Sequence, residues 1–506
     1  FKLAKSIFSQ THSNAFFKYS QNRFCVFFTH FSNPIFDKKS YNFYPKIKPK
    51  RHKIYMATTT TNTISSMDSI AHCNLTSFAK ETTLILLSAG ESTRFTKHFP
   101  VKKQWLRING EPLWLFLANR CASFFDFGEI LLSANATEQG YMSKMCPYKI
   151  ITGGDSRQDS LLNALQAVKT KWVLVSDVAR FGIDYDIIKR LFCEAIVSQT
   201  PKKSTNNKEF SSSIKSDISS DIDCVAPTLC VPDTVVYEST YIKRESLLRI
   251  QTPQLSKTAS LLSALNATPN KQNANATYTT YTDESSAITA NGGKVAFIEG
   301  KESLHKLTFI HDLQKLADFA SKIHSDTNHT NEIRDIFIGN GIDVHSFESG
   351  KKMVLGGVEI KSKFGFKAHS DGDVALHSLI DALLGAIGAG DIGEWFPDND
   401  NAYKNADSKE LLKKVVDFLG NVGFVINNID MTIIAQIPKI SPYKRALQKS
   451  IATLLSIPLY AVNIKATTTE QLGFIGRGEG VCVMTSALLK RFDWLSYAKN
   501  IESYPT

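Results

Sequence analysis

The stretch Leu84-Ile85-Leu86-Leu87-Ser88-Ala89-Gly90-Glu91-Ser92-Thr93-Arg94-Phe95 decides the architecture of the first half of the chain. A short apolar run followed by Ser-Ala-Gly reads as a strand ending in a tight turn. Further strand candidates lie at Ile130–Ser133, Lys149–Thr152, Trp172–Ser176, Cys224–Ala226 and Lys294–Ile298. Helix-like stretches alternate with them, notably Leu113–Ser123 and Ser160–Val168. That alternation predicts an α/β domain with a mostly parallel sheet, Rossmann-like in layout. A glycine turn behind the first strand lets backbone N–H groups approach a phosphate, and Arg94 with Lys102 or Lys103 can neutralise it. Alone, such a turn is also an ordinary strand-to-helix connection.

Working outward, residues 1–80 do not fit that pattern. Residues 1–55 hold eleven Lys/Arg and one acid, Asp37, which accounts for most of the net charge of +11. The remainder is nearly neutral, so nucleic-acid binding finds no support. The stretch has no apolar core of a secretory signal and only Arg23 and Arg51 of the arginines a transit peptide favours. A disordered or non-native leader is the expectation, with a targeting peptide or folded structure as the alternatives. No run approaches the roughly 18 apolar residues of a membrane span, so no membrane association is expected. The eight cysteines are scattered without a CxxC pair, which predicts a reduced, cytoplasmic protein without structural zinc. Polar residues 199–222 and Asn/Ala/Thr-rich residues 264–278 read as flexible insertions in a domain spanning 81–320. Residues 311–324 look helical, residues 321–335 serve as linker, and a second domain covers 336–495.

That second domain opens on Gly341-Ile342-Asp343-Val344-His345. On a strand, Asp343 and His345 project from one face. Downstream, Ala368-His369-Ser370-Asp371-Gly372-Asp373-Val374-Ala375-Leu376-His377 leads towards a helix expected over Ser378–Ala389, and Asp381 lies one turn after His377. Two imidazoles and a carboxylate form a common zinc shell with one open position, suited to polarising a phosphate oxygen. Three motifs follow in order: Gly390-Asp391-Ile392-Gly393-Glu394-Trp395-Phe396-Pro397-Asp398, Ala435-Gln436-Ile437-Pro438-Lys439, and Lys465-Ala466-Thr467-Thr468-Thr469-Glu470-Gln471-Leu472-Gly473-Phe474-Ile475-Gly476-Arg477.

Over residues 336–490 this set resembles the 2-C-methyl-D-erythritol 2,4-cyclodiphosphate synthases. The resemblance implies an α+β domain with Asp343, His345 and His377 as Zn²⁺ ligands and Glu470 holding Mg²⁺ between two phosphates. It implies that His369 and Ser370 sit beside the reacting phosphate. Asp381, Asp391, Gly393, Phe396 and Asp398 would shape the erythritol pocket. Ala435, Lys439, Ala466, Thr467, Thr468 and Thr469 would cradle cytidine, with Phe474 and Arg477 nearby and Asp391 and Thr468 assisting catalysis. Family members are homotrimers with sites at subunit interfaces. Their substrate's 2-phosphate attacks the β-phosphorus of its own CDP group and CMP leaves. Catalysis is then positioning plus charge neutralisation, without an enzyme nucleophile.

The first half adds Gly153-Gly154-Asp155-Ser156-Arg157-Gln158-Asp159-Ser160 and Val173-Leu174-Val175-Ser176-Asp177-Val178-Ala179-Arg180. Pro232-Asp233-Thr234, Gln251-Thr252-Pro253-Gln254, Thr282-Asp283-Glu284 and Lys306-Leu307-Thr308 complete the order. Over residues 83–318 the set resembles the 2-C-methyl-D-erythritol 4-phosphate cytidylyltransferases, which use CTP and Mg²⁺ and release pyrophosphate. The resemblance places Ala89, Gly90, Arg94 and Lys103 at the triphosphate. It places Gly154, Asp155 and Ser160 at cytosine and ribose. Asp177, Arg180, Thr234, Arg244, Thr252 and Lys306 fall on the methylerythritol phosphate side, with Arg244 supplied by a second subunit. Lys102-Lys103-Gln104 stands where the family has Pro-Lys-Gln, which leaves open which lysine meets the phosphate. The fused order resembles enzymes that hold both activities on one chain, as trimers or a hexamer. Two other readings compete: a scaffold-only first domain beside an active cyclase, and a sugar-1-phosphate nucleotidyltransferase sharing the glycine turn.

Overall fold

The computed structural model describes residues 74–199, 221–267, 281–326, 336–368, 371–397, 399–400, 403 and 406–500. The leader before residue 74, most of both expected insertions and residues 327–335 of the linker lie outside them. Helix α1, residues 74–80, corrects the expected leader boundary. Its Leu75, Phe78 and Ala79 are buried, and Phe78 packs on Trp172 at 5.4 Å and on Phe192 at 5.1 Å. The expected insertion 264–278 also begins too early. Leu261, Ala264 and Leu265, spaced as one helix face, are buried in the helix Thr258–Asn266. The helix Leu313–Asp326 likewise runs into the expected linker.

In the first half the strands are β1 (Thr82–Leu87), the short hairpin β2 (Arg107–Ile108) and β3 (Glu111–Pro112), β4 (Glu129–Ala134), β5 (Lys149–Thr152), β6 (Trp172–Asp177) and β7 (Cys224–Cys230). An exposed hairpin of β8 (Val235–Tyr237) and β9 (Thr240–Ile242) follows, then β10 (Leu248–Ile250), β11 (Gln254–Lys257) and β12 (Val295–Glu299). Among the described residues the sheet runs β10-β7-β11-β6-β1-β4-β5, with β12 on the other edge of β7. Every residue of β1 and β6 is buried, as expected for central strands covered on both faces. The sheet is mostly parallel, as expected, with β10 and β11 alone running against the other strands. β1, β4, β5 and β6 pair parallel, whereas β11 enters antiparallel between β6 and β7. β11 escapes detection because Gln254-Leu255-Ser256-Lys257 is polar. Gln254 is nevertheless fully buried, its Oε1 accepting from Ser285 N at 2.8 Å.

The second half forms β13 (Ile336–Ser349), the hairpin β14 (Met353–Leu355) and β15 (Val358–Ile360), β16 (Phe364–Phe366), β17 (Phe424–Ile434), β18 (Val462–Thr467) and β19 (Gly480–Arg491). Its main sheet, among the described residues, is ordered β16-β13-β19-β17-β18. Helix α2 (Val374–Ile387) lies flat on β13, starting earlier than the expected Ser378. Asp373 caps it through Leu376 N at 3.1 Å while also accepting from Gly356 N and Gly357 N, each at 2.7 Å. The close approach needs glycine on the strand. A Cβ at Gly341 would lie 2.0 Å from Ser378 O, and one at Gly339 2.0 Å from Ala382 O. The opposite face of β13 leaves Ile336, Ile338, Ile342 and Val344 exposed, with Met484 of β19.

The two sheets share one apolar core cluster. Lys102 N donates to Asn421 O at 3.0 Å, Trp494 Nε1 to Arg107 O at 2.9 Å, and Phe99 meets Phe492 and Tyr497 edge-on. Among the described residues no helix is long and apolar enough to cross a membrane.

Candidate active sites

Asp343 and His345 do share one face of β13, and His377 reaches them from the first turns of α2. Asp343 Oδ2 lies 3.1 Å from His345 Nε2 and 3.2 Å from His377 Nδ1. Among the described residues this trio is the group able to hold a metal, its ligand atoms all within 4.8 Å. Tetrahedral zinc at 2.0–2.1 Å bond lengths sets ligand atoms about 3.3 Å apart, so the donors fit. The other ring nitrogens are occupied. His345 Nδ1 faces Gly372 O at 3.1 Å, and His377 Nε2 faces Ser408 Oγ at 2.9 Å, with Ser408 Oγ donating in turn to Asp371. Such outer partners fix which nitrogen points at a metal. Burial disfavours charge on Asp343, yet the two imidazoles hold its carboxyl well below the ordinary range. Burial also opposes protonation of His345, but Asp343 reverses this and raises it. Asp371 and Ser408 had no assigned role in the sequence; only the fold brings helix Ser408–Asn421 to the imidazole.

The neighbouring motif residues form a small turn. Asp391 caps the one-turn helix Ile392–Trp395 through Glu394 N at 2.9 Å, and Asp381 Oδ1 accepts from Ile392 N at 2.8 Å. Gly393 is exposed, and Phe396 is buried against Tyr403. His369, Ser370 and Asp398 lie outside the described residues. The segments Ala435–Lys439 and Lys465–Arg477 meet at the carboxyl ends of the parallel pair β17 and β18. Ala435 N donates to Thr467 O at 3.0 Å, and Gln471 N to Gln436 Oε1 at 3.3 Å. Glu470 and Gln471 have φ of 50° and 64°, a strained pair for non-glycine residues. Thr468 Oγ1 donates to Glu470 Oε1 at 2.8 Å, and Thr469 Oγ1 to Leu472 O. Lys439 and Phe474 are exposed, and Arg477 pairs with Glu479 at 2.6 Å. Strand register links Asp343 to Val483, Val483 to Ile433 and Ile433 to Ala466. Three strand spacings, roughly 14 Å, therefore separate the trio from Ala466 within one chain, and Glu470 is not among the gathered ligands.

In the first half Gly153 brings two motifs together: a Cβ there would lie 2.4 Å from the Ala89 Cβ and 2.9 Å from Ser160 Oγ. Gly154 N donates to Ser160 Oγ at 3.1 Å, while Asp155 is exposed. Buried Gln104 pins the first turn, donating to Gly90 O at 2.9 Å and accepting from Ser92 Oγ at 3.0 Å. The lysines separate. Lys102 is committed to Glu138 at 2.8 Å and Glu91 at 2.6 Å. Lys103 faces Lys306, Arg94 and Asp177, and burial with those cations pushes it down to about 8. Asp177 ends β6, with Lys306 Nζ at 2.6 Å and Arg157 Nε at 2.9 Å. Burial would raise its carboxyl, but Arg157 and Lys306 hold it well below the ordinary range. Arg180 donates to Leu304 O at 2.6 Å, and the buried Thr252 hydroxyl meets Ser176 Oγ at 3.2 Å. Thr234 and Arg244 stand on the exposed arm around β8 and β9, with Arg244 donating to Pro232 O. Among the described residues neither bonds to or pairs with Asp177 or Lys306. Arg157 carries no signal of this contact in the sequence, since a helix-initial arginine does not show where it reaches.

Comparison with known proteins follows this division. Residues 82–321 match the family model for 2-C-methyl-D-erythritol 4-phosphate cytidylyltransferase, and residues 336–490 match that of the YgbB family. A bifunctional enzyme IspD/IspF of Sulfurimonas denitrificans is 48% identical over 412 residues, covering 81% of this chain and 95% of its own. The one from Wolinella succinogenes is 42% identical over 418 residues, covering 83% and 98%. The solved bifunctional IspDF from Campylobacter jejuni superimposes with a TM-score of 0.63 at 41% identity, covering 82% of this chain and 99% of that one. With both sheets, both sets of motifs and these relatives in one linear order, the chain belongs to the family of bifunctional IspD/IspF enzymes.

Proposed function

We propose that the first half transfers the cytidylyl group of CTP to 2-C-methyl-D-erythritol 4-phosphate. In the same reading the second half cyclises 4-CDP-2-C-methyl-D-erythritol 2-phosphate. In the first reaction a phosphate oxygen of the acceptor bonds to the α-phosphorus, the bridge to the β-phosphate breaks, and pyrophosphate leaves. Arg94, Lys103 and Lys306 gather around that polyanion, and the depressed Lys103 is the observation behind this reading. Clustered cations that repel one another suit a site completed by a triphosphate. The Gln104-pinned turn presents Ala89 and Gly90 to it, and Gly154, Asp155 and Ser160 take the nucleoside. Asp177, Arg180, Thr252 and Lys306 hold methylerythritol phosphate, with Thr234 and Arg244 brought by the exposed arm of a second subunit.

In the second reaction the 2-phosphate attacks the β-phosphorus and CMP leaves with the bridging oxygen. Asp343, His345 and His377 hold Zn²⁺, which polarises a phosphate oxygen when bound. Glu470 holds Mg²⁺, which also serves CTP. His369 and Ser370 line the reacting phosphate. Asp391, with Asp381, Gly393, Phe396 and Asp398, forms the erythritol end, while Ala435, Lys439 and Ala466–Thr469 cradle cytidine. The spacing between the trio and Ala466 and the bare apolar face of β13 favour a homotrimer whose sites combine two chains. Paired first halves would extend it to a hexamer. The free thiols Cys121, Cys146, Cys193, Cys224, Cys230 and Cys482 suit a cytoplasmic setting. Purified chain supplied with each substrate set tests the reading. Pyrophosphate release with CTP and CMP release from the cyclase substrate are expected. Cyclase without any cytidylyl transfer would favour a scaffold-only first half, and preference for UTP or GTP would contradict the substrate assignment.

A further inference from the structure

The junction of the two halves carries a cationic cleft that has no part in either reaction. One wall is the hairpin of β2 and β3, with Arg107; the other is the end of β19, with Lys490, Arg491 and the following Trp494. The cleft measures about 730 Å³. Gly110, in the turn between β2 and β3, gathers the two guanidinium groups. Arg107 Nη1 donates to Gly110 O at 3.3 Å, and a Cβ on Gly110 would lie 3.3 Å from Arg491 Nη1. Each guanidinium lies over an aromatic ring, Arg107 at 5.3 Å from Phe424 and Arg491 at 5.2 Å from Phe337.

A ring covers the flat face of a guanidinium, whereas its N–H donors point outward in the plane. Arg107 Nε is buried and donates to no group among the described residues. Burial and then Arg491 push Arg107 down to about 10, and the Tyr141 phenol only partly offsets them. No carboxylate stands among the groups that offset its charge. Asp493, the acid on the rim, caps the next helix through Ser496 N at 3.0 Å. Desolvated like charges side by side are costly until an anion joins them. A phosphoryl group spreads its charge over several oxygens and can accept from two guanidinium groups at once. We propose that this junction binds a phosphoryl oxyanion, phosphate or diphosphate, held by Arg107 of the first half and by Arg491 and Lys490 of the second. The anion bridges the two halves and stabilises their docking.

The test titrates the full chain with inorganic phosphate and, separately, with inorganic pyrophosphate at constant ionic strength, by calorimetry and by thermal unfolding. Arg107→Met and Arg491→Met should each lose about one bound anion per chain relative to wild type. Lys103→Met, in the first active site, should lose a different one, so the Arg107→Met/Lys103→Met pair loses about two. Pyrophosphate should raise the unfolding temperature of the wild type, and either arginine variant should lose about half or more of that rise. Ligand-free Arg107→Met should unfold no lower than wild type, because a desolvated like charge is gone. A lower temperature with unchanged stoichiometry makes Arg107 structural and overturns the proposal. Unchanged stoichiometry in both arginine variants overturns it as well. Lys490 is exposed, so Lys490→Met keeps the test open should the arginine variants not fold. It should weaken the anion about threefold or more, and unaltered affinity there overturns the proposal. Comparable affinities for the two anions support a single phosphate group as the ligand, and a preference of about tenfold for pyrophosphate supports a diphosphate.

Discussion

Lys103 and Lys102 are adjacent in sequence and differ in what surrounds them. Lys102 neutralises Glu138 and Glu91, whereas Lys103 is pushed down to about 8 by burial, Lys306 and Arg94. A bound triphosphate favours the charged amine, so CTP binding must reload a proton above that pH. The CTP dissociation constant should therefore be flat below pH 8 and rise above it, by at most about tenfold per pH unit. Lys103→Met should remove this dependence, which titration calorimetry across pH 7–9.5 would check. At the metal trio, Ser408→Ala removes the acceptor of His377 Nε2. Zinc affinity measured by chelator competition should fall about 10- to 100-fold. Asp343 and His345 were legible as a pair because i, i+2 spacing on a strand puts them on one face, whereas His377 joined them only through the resemblance. Ser408 was not legible, since it reaches its partner only through tertiary packing.

At the scale of elements, β1, β4, β5, β6, β7 and β12 stand where the strand-like runs of the first half put them. The exceptions have physical causes. β11 is polar and still buried because Gln254 is satisfied by Ser285 N. The helix after the histidine motif begins at Val374 because Asp373 caps it while anchoring Gly356 and Gly357. The approach of that helix to β13 rests on Gly341, where a side chain would run into the Ser378 carbonyl at 2.0 Å. Gly341→Ala should lift α2 from the strand and separate His377 from Asp343. Bound zinc and cyclase turnover should both drop sharply, by metal analysis and CMP release, while pyrophosphate release with CTP persists. Zinc retained at full stoichiometry would contradict this account of the strand–helix contact.

For the whole molecule, the exposed apolar face of β13 and the separation of the trio from Ala466 point to assembly through the second half. Ile342 is 58% exposed on that face, far more than a core strand residue leaves open. Ile342→Asp should shift sedimentation towards smaller species and lower cyclase turnover at least about tenfold, with the monomer fold intact by circular dichroism. The resemblance implied such an assembly, but not which face would carry it, since that face shows only once the other side of β13 is packed on α2. The most direct measurement of the central claim is paired product release from one sample of His377→Ala, with metal content determined alongside. Bifunctional chemistry with a metal centre confined to the second half predicts loss of zinc and of CMP release from the cyclase substrate, and pyrophosphate release with CTP at the wild-type rate. Wild-type CMP release from zinc-free protein would contradict it.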